Sequence, residues 1–333
     1  MITHHSHLIT EMWQGINLIR TFNPAVMSAW RQHMDKGKIL LTGEGSSRIF
    51  PAYNMMAYAK KINAPLQIET MGAREASCYA WHDRFILAAS NSGKTKETIA
   101  FLSLCQTENI QTYVLTANAD TPITHIASAH HLLSGTPEKA VAATQSVIEQ
   151  ALCYQALLGG SEWPAQNTAA DLCATIMQST IDPLLIKRLM SAQHLYWCGP
   201  KDGVCEELAL KTIEILRKPS FYLEGTLALH GIEEILSPED VIIIYHPHAD
   251  DIPLYHKYLA HNIGTQIIFI SHHPQKLPSI IVPHCAGFDG YLGLVQGWKL
   301  LAEAGLQLGV DLDKPKRARK VGNALDDTGA HKL

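Results

Sequence analysis

From Lys38 onward, short apolar runs alternate with longer segments of helical periodicity. In the first half, buried strands are predicted at Ile39–Leu41, Phe85–Ala89 and Tyr113–Leu115. The segments Ile49–Ile62 and Thr95–Gln106 between them predict helices. Alternation of this kind is typical of βαβ units, in which parallel strands form one sheet covered by helices. The sequence therefore predicts a doubly wound, flavodoxin-like α/β fold.

The same pattern starts again after residues 159–164, where two glycines and a proline indicate a turn. The second half predicts, in chain order, strand His194–Cys198, helix Lys201–Arg217, strand Val241–Tyr245, strand Thr265–Ile270 and helix Tyr291–Leu308. Each half opens with a strand, a glycine turn and a helix, which indicates a diverged internal duplication. Single cores stop growing efficiently near ~250–300 residues. A chain of 333 residues is therefore expected to form two lobes.

We expect five segments along the chain. They are an N-terminal helical segment (1–36), a first α/β domain (37–160), a helical linker (161–190), a second α/β domain (191–310) and a C-terminal tail (311–333). The stretch Asp313–Lys320 in the tail is basic and almost devoid of apolar residues, so it cannot form core. Its composition fits either an exposed arm or a lid over an anionic ligand.

Composition excludes several classes of protein. A net charge of −4 provides no basic field for a nucleic acid. The seven cysteines contain no C-x-x-C pair, which predicts neither a disulfide framework nor a zinc ribbon and favours a reducing compartment. No stretch approaches the ~20 apolar residues that a membrane helix needs, and no signal peptide is recognisable. We therefore expect a cytoplasmic protein that binds neither membranes nor nucleic acids.

The segment Ser90–Thr95 joins a predicted strand to a predicted helix and is rich in small polar residues. Backbone N–H groups and the dipole at a helix N-terminus favour a bound anion such as phosphate. A nucleotide P-loop is excluded because that motif needs glycine where this chain has Ala88. Likewise Gly43 and Gly45 are followed by Arg48 where a dinucleotide motif has a third glycine. From the spacing alone, a phosphate loop and an ordinary polar turn both remain open.

A second group of polar residues follows helical spacing. Glu207, Lys211 and Glu214 fall at i, i+4 and i+7 and would share one face of a helix. A surface ladder of ion pairs and a catalytic group both fit this spacing. Interconversion of an aldose and a ketose needs one base that moves a proton between adjacent carbons and one group that opens the ring, for which glutamate and histidine are suitable. Without further information, however, His230 reads as a helix-end or core histidine.

Metal binding is not predicted. His246 and His248 lie close to Asp250 and Asp251, but no further ligand follows at a recognised spacing. The pairs His130–His131 and His272–His273 are expected to be solvated.

Three motifs in the first half resemble the SIS (sugar isomerase) family. Gly43–Ser47 is similar to its glycine–serine turn, and Ser90–Thr95 is similar to its S-x-S-G-x-T phosphate loop. Glu138–Ser146 is similar to its E-K-A-V-A-A-T-K-S segment. The resemblance extends from about Lys38 to Lys320 and implies two SIS lobes.

The second half resembles the isomerase region of glucosamine-6-phosphate synthase and the isomerising glucosamine-6-phosphate deaminases. Glu207–Glu214 matches their E-x-A-L-K-x-x-E helix, and His230-Gly231 matches part of their H-G-P turn. The tail from Asp313 to Lys320 is similar to their D-x-P-x-x-L-x-K ending.

This resemblance implies a role for each site residue. Catalytic roles fall to Glu214 for proton transfer between C1 and C2, to His230 for ring opening, and to Lys211 and Lys320. Phosphate binding falls to Ser46, Ser47, Ser90, Asn91, Ser92 and Thr95, and the sugar pocket to Gly45, Val141, Ala142 and Gln145. It further implies a homodimer in which His230 completes the site of the partner subunit. We expect neither a cofactor nor a metal.

The family pattern is not matched everywhere. Gln145 replaces a lysine, Ile232 replaces the proline of H-G-P, and Leu227 stands where a glutamate commonly precedes the histidine. The resemblance implies an isomerase or isomerising deaminase of an aminohexose 6-phosphate that converts glucosamine 6-phosphate to fructose 6-phosphate. These departures leave two alternatives open: a deglycase of fructosamine phosphates, and a non-catalytic regulator that binds a sugar phosphate.

Overall fold

A computed structural model describes residues 6–34, 37–159 and 163–318. The first lobe holds a parallel five-stranded sheet in the order β2-β1-β3-β4-β5. Its strands are β1 Lys38–Gly43, β2 Gln67–Gly72, β3 Phe85–Ala89, β4 Thr112–Thr116 and β5 Ala129–Leu132. The helices up to the end of this lobe are α1 His7–Thr21, α2 Ser28–Arg31, α3 Ile49–Lys61, α4 Ala73–Ala76, α5 Lys96–Thr107, α6 Pro122–Ile126 and α7 Gln145–Leu157.

The second lobe repeats this arrangement. Its parallel sheet has the order β10-β9-β8-β6-β7, which is the order of the first sheet read from the other edge. The strands are β6 Leu195–Gly199, β7 Ser220–Glu224, β8 Val241–Tyr245, β9 Gln266–Ser271 and β10 Ser279–Ile281. The remaining helices are α8 Gln166–Gln178, α9 Pro183–Ser191, α10 Val204–Ile215, α11 Ile252–Leu254 and α12 Asp289–Gln307. Helix α11 continues as a π-helix over Tyr255–His261. The two doubly wound lobes confirm the predicted fold class.

The largest hydrophobic core runs across both lobes. It joins α1 and α7 of the first half to α8, α10 and α12, with Met12, Leu152 and Trp298 among its fully buried side chains. Helices α8 and α9, in the segment predicted to be a linker, pack against α12 and contribute to this core. The lobes therefore share buried apolar surface, which fixes the position of α10 beside the first sheet.

The contact between α10 and α3 depends on one glycine. Gly203 is the N-cap of α10 and has a left-handed backbone with φ of +87°. A β-carbon at this position would lie 2.8 Å from the α-carbon of Phe50 in α3. Because glycine has no β-carbon, the start of α10 can approach the first lobe closely.

All six strands predicted from the apolar runs are present in the structure. The four strands without a prediction are β2, β5, β7 and β10, and all of them are edge strands. An edge strand has one unpaired side near solvent, so its sequence is not a continuous apolar run. In β5, for example, His130 and Leu132 are exposed. Among the described residues, no helix is long and apolar enough to cross a membrane.

Candidate functional site

A cleft of about 560 Å³ lies at the carboxyl ends of β1, β3 and β4. The strand order reverses between β1 and β3, and ligands of open α/β sheets bind at such a switch point. The volume is within the ~300–1,000 Å³ typical of small-molecule sites. Eight of the site residues predicted from the sequence line this cleft: Gly45, Ser46, Ser47, Asn91, Ser92, Thr95, Val141 and Glu214.

The segment Ser90–Thr95 forms the floor of the cleft. Thr95 is the N-cap of α5, but its side chain makes no capping bond and its hydroxyl lies 3.0 Å from that of Ser90. The first N–H groups of a helix have no partner inside the helix. Thr95 and Glu97, at the start of α5, line the cleft, so these donors are available there for anion binding at a helix N-terminus. Ser90 itself is buried and positions Thr95 from beneath.

Gly93 sets the shape of this loop. Its φ is +68°, and a β-carbon here would lie 2.3 Å from the hydroxyl oxygen of Thr121. Both the backbone conformation and the space therefore require glycine. The carbonyl of Asn91 accepts a bond from the backbone N–H of Ala117, at 3.1 Å, and one from the side chain of Asn118, at 3.0 Å. These contacts hold the loop against the end of β4.

Glu138 joins the phosphate loop to the segment before α7. Its carboxylate accepts hydrogen bonds from the backbone N–H of Thr144, at 2.7 Å, and from the side-chain amide of Asn91, at 3.2 Å. The hydroxyl of Ser146 donates to the same carboxylate. Glu138 also lines the cleft, so it both positions the loop and contributes charge to the site.

Helix α10 brings three charged side chains to the edge of this cleft. The ammonium nitrogen of Lys211 lies 3.2 Å from Oε1 of Glu207 and 2.7 Å from Oε2 of Glu214. It also donates to the hydroxyl of Ser46 across the lobe boundary, at 2.8 Å. Lys211 and Glu207 have no exposed side-chain surface, whereas that of Glu214 is 24% exposed and faces the cleft. The predicted shared helix face is present, and it is not a surface ladder of ion pairs.

The charges of this group depend on one another. Burial raises the pKa of the Glu207 carboxyl above its ordinary value, although Lys211 acts in the opposite direction. Burial also disfavours the charged form of Lys211, but the carboxylates of Glu214 and Glu207 outweigh it and hold the lysine pKa above its ordinary value. Lys211 is therefore a cation at neutral pH that joins Ser46 to Glu214.

Ala142 and Gln145, which the resemblance places in the sugar pocket, do not line the cleft. Ala142 is fully buried. The side chain of Gln145 accepts a bond from the hydroxyl of Thr136, at 3.3 Å, and its amide occupies the space beside Gly135. Gln145 therefore supports the turn before the Glu138 segment.

His230 lies apart from this cleft in the described chain. His230 follows a short 3₁₀ turn, is exposed, and does not line the cleft of its own chain. Lys320 lies outside the described residues. The tail leads toward the site, because Asp313 accepts bonds from the first N–H groups of α1 and Ala318 lines the cleft.

Several residues of the cleft were given no role from the sequence. Glu44, Glu97, Glu138 and Asn118 contribute polar groups to its wall. Asn118 stands three residues after the predicted strand Tyr113–Leu115, and a polar residue near the carboxyl end of the strand next to the phosphate strand was an available signal. Glu44 lies within the glycine–serine turn Gly43–Ser47 and Glu97 lies two residues after Thr95, but only the fold shows that both face one cleft with Glu214.

The histidines of the second lobe also differ from expectation. His272 is half-buried, and its Nδ1 lies 2.8 Å from the carbonyl oxygen of Val282, so the prediction that it is solvated is wrong. His273 is exposed, as are His248 and Asp250. Burial lowers the pKa of His246 to about 4, so its imidazole is neutral at neutral pH.

Comparison with known proteins gives one family match. The family model described as SIS domain matches residues 34–159, which span the first sheet and its helices. No curated protein is similar enough in sequence to count as a relative.

Solved structures share the fold over nearly the whole chain. A presumptive phosphosugar isomerase from Clostridium difficile superposes with a TM-score of 0.77 and 15% identity over 94% of this chain and 95% of its own. The C-terminal domain of glucosamine-fructose-6-phosphate aminotransferase from Francisella tularensis gives 0.72 and 15% over 94% and 99%. Glucosamine-6-phosphate deaminase from Thermotoga maritima gives 0.69 and 17% over 95% and 99%. At these identities the likeness establishes the two-lobed fold.

Proposed function

The chain contains a SIS domain over residues 34–159, and from this premise we propose that it is a phosphosugar isomerase acting on an aminohexose 6-phosphate. The observation that carries the proposal is the position of Glu214. A carboxylate from the second lobe faces the same cleft as the phosphate loop of the first, and Lys211 connects this carboxylate to Ser46 of the first lobe. A base and an anion site in one cleft are what isomerisation of a phosphorylated sugar requires.

The phosphate is held by neutral donors. Ser47, Ser92 and Thr95 line the cleft together with the N-terminus of α5. Hydrogen bonds to a charged group contribute roughly 1.5–3 kcal/mol each. A few such bonds anchor one end of the sugar, so that C1 and C2 are presented at a fixed distance from the loop.

The charges of the cleft favour an amino sugar. Glu44, Glu97, Glu138 and Glu214 all line it, which makes its wall acidic. Carboxylates stabilise an ammonium group by charge-assisted hydrogen bonds, and a sugar with a cationic amine at C2 supplies one. We therefore favour glucosamine 6-phosphate over the neutral hexose 6-phosphates as the ligand.

In the proposed reaction Glu214 removes a proton from C2 of the open-chain sugar and returns it to C1. The electron pair passes through an enolamine, and hydrolysis of the resulting ketimine releases ammonia and fructose 6-phosphate. Lys211 orients Glu214 and offers positive charge beside the intermediate. Ring opening is assigned to His230 of the partner subunit, and Lys320 is proposed to close the site from the tail.

The direct test is turnover of glucosamine 6-phosphate by the purified chain, measured as ammonia and fructose 6-phosphate. Glu214→Gln should lower turnover by about 10²–10⁴-fold, the usual contribution of a general base, and should leave sugar-phosphate binding in place. Glu206→Gln is the matched control, because Glu206 lies on the same helix but does not line the cleft. Absence of turnover on a panel of hexose and hexosamine phosphates would overturn the proposed activity.

The two alternatives give different results in the same panel. A deglycase would release amino acid from a fructosamine phosphate and leave glucosamine 6-phosphate unchanged. A regulator would bind sugar phosphates without turnover, and its Glu214→Gln variant would behave like the parent.

The shared active site is tested by mixing two inactive variants. If His230 acts across a dimer interface, Glu214→Gln and His230→Ala subunits allowed to exchange form mixed dimers with one intact site. Random pairing then restores about a quarter of the parent activity. No recovery after exchange would mean that His230 acts within its own chain or not at all.

A further inference from the structure

The second sheet has a counterpart to each strand of the phosphate cleft. In the strand orders, β8 corresponds to β3 and β9 corresponds to β4. Helix α12 corresponds to α7, since each follows the last strand of its lobe. The carboxyl edge of the second sheet is thus the duplicate of the phosphate site, yet its residues differ completely.

This second edge lacks the means to hold a phosphate. The residues after β8 begin with His246, Pro247 and His248 and continue to Asp250 and Asp251, in place of the serines and glycine after β3. The helix that follows, α11, has three residues and continues directly into a π-helix over Tyr255–His261. The N-cap of α11 is Asp251, preceded by Asp250, so carboxylates stand where the phosphate loop offers Ser92 and Thr95.

What gathers there is a set of imidazoles and one carboxylate. Ligand atoms of His272, His284 and Asp289 all lie within 4.8 Å of one another. Nδ1 of His284 is 2.9 Å from Oδ1 of Asp289, and Nε2 of His272 is 4.0 Å from the same oxygen. These residues come from the end of β9, the loop before α12 and the first position of α12, so the fold itself assembles them.

Two further observations point to a ligand. Nδ1–H of His272 donates to the carbonyl oxygen of Val282, which leaves the lone pair of Nε2 available to bind a metal. Outer partners of this kind orient metal-binding histidines. His246 is the residue after β8, and its ring centre is 4.2 Å from that of His272. Nε2 of His246 is buried and has no hydrogen-bond partner, so a nitrogen that can bind a metal lies beside His272, His284 and Asp289.

We propose that the carboxyl edge of the second sheet binds a zinc ion. His272, His284 and Asp289 supply three ligands. His246 lies outside that 4.8 Å group, with its ring 4.2 Å from that of His272, and its Nε2 moves closer to become the fourth. Three imidazole nitrogens and one carboxylate oxygen match the ligand types and the number of four that Zn²⁺ takes in proteins. Imidazole donors also argue against Mg²⁺ and Ca²⁺, which prefer oxygen ligands. None of the four residues lines the phosphate cleft, so the site is separate from the proposed active site.

The test uses the full chain after dialysis against a chelator. Calorimetric titration with Zn²⁺ should show one equivalent per chain, and Co²⁺ in its place should give the visible bands of a tetrahedral site. His284→Ala and Asp289→Asn should each weaken zinc binding by at least about 100-fold, a loss at the upper end of that seen for outer partners alone. The rise in Tm that zinc gives the parent should disappear in both variants.

Two controls separate this site from other histidines. His273→Ala changes an exposed neighbour of His272 and should bind zinc like the parent. Replacement of His4 and His5 by alanine removes N-terminal histidines that could bind metal independently. This variant should also bind one equivalent of Zn²⁺ per chain. Zinc binding that is lost with His4 and His5, or that is unchanged in His284→Ala and Asp289→Asn, would overturn the proposal.

Discussion

Replacing Lys211 by methionine removes the ammonium group that faces two carboxylates inside the protein. The side chains are of similar length, so packing changes little and the variant tests charge. Lys211 and Glu207 have no exposed side-chain surface, and their charged atoms are 3.2 Å apart. The charge of Lys211 is the largest influence that favours the ionised form of the buried Glu207 carboxylate, and the hydroxyl of Ser46 adds a smaller one.

The expected loss follows from this geometry. Two unit charges 3.2 Å apart attract by about 5 kcal/mol at an effective dielectric constant of 20. Removing one partner of a buried pair costs about 3–5 kcal/mol, because the other charge remains without compensation. For a cooperative unit of ~150–250 residues this corresponds to a Tm lower by roughly 10 °C. A Lys187→Met control, at an exposed position of α9, should stay within about 0.5 kcal/mol.

A second substitution, at Glu207, tests whether the uncompensated carboxylate causes the loss of stability. In the double variant Lys211→Met with Glu207→Gln, no buried charge is left uncompensated, so most of the lost stability should return. The single variant should also respond to pH. Without Lys211 the folded pKa of Glu207 rises further above the unfolded value of about 4.3. A raised folded pKa gives stability that is present at low pH and lost as pH rises through it, so the deficit against the parent shrinks on acidification.

Urea unfolding followed by tryptophan fluorescence measures these effects, and one of the six tryptophans lies close to the change. Trp197 in β6 donates to the hydroxyl of Thr212 in α10, at 2.8 Å, and reports on this helix. A Lys211→Met midpoint no lower than that of Lys187→Met would refute the reasoning. So would a double variant that is no more stable than Lys211→Met at neutral pH.

Two further variants test the phosphate loop. Gly93→Ala places a β-carbon against Thr121 at a φ of +68°. It should lower the free energy of unfolding by about 1–3 kcal/mol and weaken the binding of fructose 6-phosphate, measured by calorimetry. Unchanged affinity would contradict the role given to this glycine. Glu138→Gln places an amide opposite the N–H donors of Thr144 and Asn91. It should lower the free energy of unfolding in urea by about 1–3 kcal/mol and lower the affinity for fructose 6-phosphate. A change in affinity without loss of stability would assign Glu138 to ligand contact alone.

The interior of the fold could be predicted from the sequence because burial on both faces makes a strand a continuous apolar run. Phe85–Ala89 is fully buried and was recognised on that basis. Edge strands could not be recognised in this way. In β2, Gln67–Gly72, no residue is fully buried, so its sequence gives no such signal.

The candidate site was predictable where chemistry is local to one turn or one helix. Ser92 and Thr95 follow a strand, and Glu207, Lys211 and Glu214 follow helical spacing, so both groups could be named in advance. Contacts between distant segments could not. The sequence does not show that Lys211 reaches Ser46, or that His284 and Asp289 come near His272, because those distances depend on how the lobes fold.

The central claim is that the loop at the start of α5 holds a phosphate group. Calorimetric titration of fructose 6-phosphate into the parent and into a Ser92→Ala, Thr95→Val variant tests it most directly, with Thr107→Val at the other end of the same helix as control. We predict that the double variant loses at least about 100-fold in affinity, since two charge-assisted hydrogen bonds are removed, and that Thr107→Val binds like the parent. Equal affinity in all three proteins would contradict the account.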